Sequence, residues 1–141
     1  MITIPISVVN LITILEFIGG RSLWWSMLHL WATSKESSEL DVLDLEEKTK
    51  DQFGYRLEWD KLLGIVNQLA QVNECTIVGV DSPESLPNRS LSLDDLRDFC
   101  EVVIEAVDST YWEIYVKDEV LYQRLVKQFK EPLKKSSDLR Q

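Results

Sequence analysis

The stretch from Ser92 to Asp108, SLDDLRDFCEVVIEAVD, decides how the second half of this chain is read. Asp94, Asp98, Glu101, Glu105 and Asp108 recur at steps of four, three, four and three, the spacing of one stripe on an α-helix. Leu96, Phe99, Cys100, Val103 and Val107 supply the buried face of the same helix. Ser92 with Asp95 three positions on resembles a capping box, so the spacing predicts an acidic helix over 94–108. Arg97 is the only cation near the stripe. Like charges one turn apart repel, and Glu105 and Asp108 would sit at the negative end of the helix dipole, so such a stripe lowers the stability of the free domain. A ridge kept despite that cost points to a positively charged partner, against the commoner reading of a solvated outer face.

Downstream, residues 111–117 alternate, with Trp112, Ile114 and Val116 on one side and Tyr111, Glu113, Tyr115 and Lys117 on the other, which predicts a strand. Asp118 is placed to cap a last helix carrying Leu121, Leu125 and Phe129, which Pro132 stops. Upstream, Cys75 to Asp81 reads as a short apolar strand, followed by a loop with Pro83 and Pro87. Strand, helix and strand in that order predict a right-handed crossover with parallel pairing between 75–81 and 111–117.

Trp59, Leu62, Leu63, Val66, Leu69 and Ala70 predict an amphipathic helix over 58–72. Nearer the start, Ile2, Ile4, Ile6 and Val8 alternate with polar positions over 2–8, and Pro5 confines that strand to a sheet edge. Asn10, Thr13 and Glu16 recur at three-residue steps ahead of Gly19-Gly20, which favours a helix ending in a left-handed glycine. The β-branched residues there equally allow a β-hairpin turning on the glycine pair. After Ser22, Trp24, Met27, Leu28 and Trp31 share one helical face, and Ser26, His29 and Thr33 another, predicting a second short helix. A polar loop over 33–40 leads to a third helix near 41–53. The expected fold class is α+β: a single domain over 1–131, a small sheet including the βαβ unit, about five or six helices, and a basic flexible tail over 132–141.

With 141 residues, 45% hydrophobic content and five tryptophans, the chain has material for one sizeable core. A net charge of −9 argues against nucleic acid and anionic membrane as direct partners, because both are bound through Lys and Arg. Residues 35–60 hold nine carboxylates against four cations, while the last segment, from Arg124 to Arg140, carries a local balance of +4. Cys75 and Cys100 lack CxxC or CxxH spacing and read as reduced, buried thiols without metal. The start lacks a cationic signal region and its apolar run is interrupted by Asn10, Glu16 and Arg21, so a cytoplasmic protein is expected.

The candidate partner-binding residues are Asp94, Asp98, Glu101, Glu105 and Asp108 on the stripe, and Tyr111, Glu113 and Tyr115 on the following strand, where tyrosines join apolar area to a hydrogen-bonding tip. An enzymatic reading needs Asp81, Glu113 and Lys117 on one sheet edge, and the four-residue spacing from Glu113 to Lys117 departs from metal-dependent nucleases. His29 stands among Trp24, Trp25 and Trp31 without a Ser or Cys motif and reads as structural. Neither catalysis nor a cofactor is expected.

The run from Asp108 to Val116, followed by Asp118 and the Leu121 to Phe129 segment, resembles the C-terminal part of small acidic immunity proteins of bacterial toxin systems, a likeness covering residues 75–130. The resemblance implies an inhibitor that binds a basic, nuclease-type toxin in the cytoplasm, its carboxylates overlying the groove meant for phosphates. The alternative expectation is a secretion chaperone or adaptor, which predicts a dimer and an apolar groove near Trp24 to Trp31, whereas the inhibitor reading favours a monomer.

Overall fold

The computed structural model describes residues 1–130. Its strands are β1 (Ile2–Pro5), β2 (Trp24–Ser34), β3 (Tyr55–Leu57), β4 (Leu69–Val80), β5 (Val102–Val107) and β6 (Tyr111–Val116). The helices are α1 (Leu11–Ile18), α2 (Val42–Lys48), α3 (Trp59–Val66), α4 (Leu93–Phe99) and α5 (Glu119–Leu125), the last continuing into a wider π turn, Val126–Lys130. The strands form one open α+β sheet in the order β1-β6-β5-β4-β2-β3, and every neighbouring pair is antiparallel.

Several expectations hold. β1 lies at an edge, with Ile2 and Ile4 buried and Thr3 and Pro5 exposed, but it ends at Pro5, and residues 6–8 of the expected strand form a turn with Val8 exposed. The Asn10 side chain caps α1, and Gly19, at φ 64°, ends it with its N–H on the Leu15 carbonyl. Gly20 is needed for a different reason, since a Cβ there would lie 2.3 Å from the Trp25 ring. β6 alternates as its sequence predicts, Asp118 caps α5, where Leu125 is buried, and Phe129 is buried in the π turn that follows. Pro132 and the basic tail lie outside the described residues.

The βαβ unit is overturned. Strands β4 and β6 are not paired, because β5 lies between them and every ladder is antiparallel. The helix predicted over 94–108 ends at Phe99. Cys100 turns extended (φ −98°, ψ 148°), and the β-branched run Val102, Val103 and Ile104 continues as strand. The helix predicted over 58–72 likewise stops at Val66, and β4 begins at Leu69. The segment read as a second short helix is the 11-residue strand β2. Trp25 and Met27 go to one face of the sheet and Leu28 to the other, and a register shift between Met27 and His29 returns Leu30 and Ala32 to the face of Trp25. The third helix is confined to Val42–Lys48.

One face of the sheet carries the main core. Leu11, Ile14 and Leu15 of α1, Leu45 of α2, Trp59, Leu62, Ile65 and Val66 of α3, and Leu125 of α5 all pack on it. Trp25 and Trp59 meet at 5.5 Å between ring centroids, and Phe17 meets Phe129 edge-on at 5.2 Å. Both fully buried indoles are satisfied: the Trp25 ring N–H donates to the Gly20 carbonyl and that of Trp112 to the Val9 carbonyl, each at 2.8 Å. The other face holds a smaller core of Leu28, Val78, Val80, Val103, Leu96 and Cys100, roofed by α4 and the loop before it. Cys75 and Cys100 therefore belong to different cores, and burial pushes their thiols up to about 12 and about 11, which makes both poor nucleophiles.

Candidate partner-binding face

Antiparallel register, not helical spacing, assembles the site. His29 on β2, Thr76 on β4, Glu105 on β5, Glu113 on β6 and Thr3 on β1 stand directly opposite one another, in one row across five strands. In the neighbouring row Trp31 faces Glu74, and Tyr111 lies between Val107 and Pro5. On the other side of the polar row, Val78, Val103 and Tyr115 pass beneath α4. The second face is thus dry where α4 covers it and polar where α4 stops, and Trp31 is 56% exposed there.

Arg97 links roof and sheet. Its guanidinium reaches Glu113 at 3.4 Å and Asp94 at 3.6 Å, while its Nε is buried with no hydrogen-bond partner among the described residues. The two carboxylates on adjacent strands differ accordingly. Glu113 has Arg97, whereas the Oε2 of Glu105 is buried and has no partner among the described residues. Burial holds the Glu105 carboxyl above its ordinary value, the charges of Glu113 and Glu74 push the same way, and Arg97 and His29 oppose them. His29 Nε2 sits 3.4 Å from Glu74 Oε2, at the long end of hydrogen-bond distance.

The eight predicted site residues are only partly brought together. Glu105, Glu113, Tyr111 and Tyr115 share the second face, and Asp94 joins them through Arg97. Asp98 is exposed on α4. Glu101 occupies the bend before β5, its N–H donating to the Gly79 carbonyl and its own carbonyl accepting from the Lys117 N–H, both at 2.9 Å. Asp108 lies in the β5–β6 turn, where it and Ser109 adopt positive φ (49° and 59°). The single helical ridge is therefore replaced by a helix, a bend, a strand and a turn.

Glu74 and Thr76 stand in no sequence motif that marks them, and His29, expected to be structural, joins the polar row. The signal for β2 was the alternation of His29, Trp31 and Thr33 with Leu30 and Ala32. The residues of the enzymatic reading do not converge: Glu113 is level with Thr76, and Asp81 lies five positions beyond Thr76, roughly 16 Å along the strand. Among the described residues no three His, Cys, Asp or Glu side chains group as a metal site, and no helix is long and apolar enough to cross a membrane. No family model, no curated protein and no solved structure matches the chain.

Proposed function

We propose that this chain is a non-enzymatic, acidic protein-binding module: an immunity-type inhibitor that neutralises a basic, nuclease-type toxin by direct binding in the cytoplasm. One observation carries the reading. The part of the second sheet face left uncovered by α4 presents Glu74, Glu105 and Glu113 side by side with Trp31 and Tyr111, on a chain of net charge −9. Carboxylates around aromatic anchors suit a cationic surface, where charge-assisted hydrogen bonds give orientation and the long-range field speeds capture.

The docking surface in this reading is the sheet face, with Asp94 and Asp98 on α4 as its acidic rim. The test is association with the basic partner recovered from the source cell, followed at low salt. Reversing Glu105 and Glu113 together to Lys slows association by about tenfold or more if this face docks. An unchanged rate rejects it.

The chaperone or adaptor reading draws on Trp24, 44% exposed beside a recess lined by Arg56, Pro83 and Leu86. Trp24 and Trp31 are seven positions apart on β2, roughly 20 Å, and Ser26 and Leu28 on the same face between them are buried, which speaks against one continuous groove. A dimer in sedimentation would favour the chaperone, and a monomer the inhibitor.

A further inference from the structure

We infer that the recess between α4 and the sheet is a socket for one long cationic side chain, arginine or lysine, presented by the partner. The inference deepens the reading of the chain as the ligand of a basic protein and rests on it. The recess has a volume of about 270 Å³, just below the roughly 300 Å³ at which small-molecule sites begin, and so suits a single side chain. The sheet contributes Leu28, His29, Thr76 and Glu105 to its lining, while α4 and the loop before it contribute Arg89, Leu91, Leu93 and Leu96.

That lining matches the two ends of a basic side chain. Four leucines offer apolar surface to a methylene stem, and the carboxylate offers acceptors to the charged head. The orphaned Oε2 of Glu105 strengthens the match, because a buried carboxylate oxygen without a donor gains most from one that arrives with a positive charge.

The basic groups already nearby are engaged elsewhere. Arg97 lies against Glu113 and Asp94, His29 against Glu74, and Arg89 donates through its guanidinium to the Lys50 carbonyl at 3.3 Å. Arg89 leaves one positive charge on the lining, so a partner side chain enters past it with its head directed to Glu105. Thr76, opposite Glu105 in the register, adds a hydroxyl that can accept from the same head.

The probe is butylguanidinium, a stem and a head without a backbone, titrated into the isotope-labelled full chain while the Glu105 carboxyl and the methyls of Leu91, Leu93 and Leu96 are followed by NMR. Saturable shifts of all four in the native protein are expected, with the methyl shifts lost in Glu105→Gln and reduced several-fold in Leu91→Trp, which narrows the recess and keeps the carboxylate. Unchanged methyls of Ile14 and Ile104 in each variant report an intact fold. Absence of saturable shifts, or equal methyl shifts in Glu105→Gln, overturns the socket. Partner association measured on the same samples separates the two readings: a protein that binds its basic partner and ignores butylguanidinium loses the socket and keeps the proposed function.

Discussion

The two faces of the sheet share six strands and are finished differently. On one, α1, α2, α3 and α5 seal a continuous core anchored by Trp25, Trp59 and Trp112. On the other, α4 alone roofs a small core, and beyond its edge charged and aromatic side chains lie on the open sheet. The difference separates tasks. A sheet of this size gains its stability from one well-covered face, which leaves the other free to hold groups that folding alone would disfavour, such as paired Glu105 and Glu113.

The division predicts that substitutions rank by face. Trp112→Ala empties the main core and strips the Val9 carbonyl of its donor, and should cost about 3–5 kcal/mol in urea unfolding. Leu96→Ala in the small core should cost about 2–3 kcal/mol, the lower end for a buried leucine, and expose the sheet beneath α4 to hydrogen exchange. A cost equal to that of Trp112→Ala would erase the contrast between the faces.

Glu105→Gln should run the other way and stabilise the protein at pH 7 by roughly 0.5 kcal/mol. The sign follows from the raised carboxyl. Between its unfolded and folded values the folded state holds the extra proton, so ionising Glu105 costs stability as pH rises through that window, and the cost is absent below the unfolded value. Thermal melts of native protein and variant should therefore converge as pH falls to about 4.5 and separate toward neutrality. Asp98→Asn, on the exposed side of α4, should change stability by less than about 0.5 kcal/mol and association by less than about twofold. A large loss of association there would return the docking surface to the helix.

Segments with one buried side were legible in the sequence. Alternation placed β1 and β6, the Gly19-Gly20 pair marked the end of α1 in one of its two readings, and Asp118 with Leu125 and Phe129 defined the last helix. Segments buried on both sides were not. In β2, Trp25 and Met27 serve one core and Leu28 the other, and the shift after Met27 breaks the period that marks a strand. Between Ser92 and Asp108 the acidic spacing crosses a helix-to-strand boundary. Of the face a helical reading predicts, Leu96, Cys100 and Val103 do cluster, with α4 supplying the first, its cap the second and β5 the third, but Phe99 is 64% exposed and Val107 only half-buried. The candidate site was half legible for the same reason: Glu105 and Glu113 were picked out, but their being opposite one another depends on a β5–β6 pairing that helical spacing concealed. Glu74 and Thr76 join them only through register with β2 and β5.

Strand β1 pairs only with β6, and the indole of Trp112 bonds a carbonyl 103 positions earlier in the chain. During synthesis at about 5–20 residues per second, the first strand therefore waits roughly 5–20 seconds for its neighbour to leave the ribosome. Ile2 and Ile4 stay without their β6 partners through that interval, and pairing β1 with β6 closes a long loop, the kind of non-local contact that slows folding. The proline at β1 guards the nascent edge against pairing with another chain while it waits.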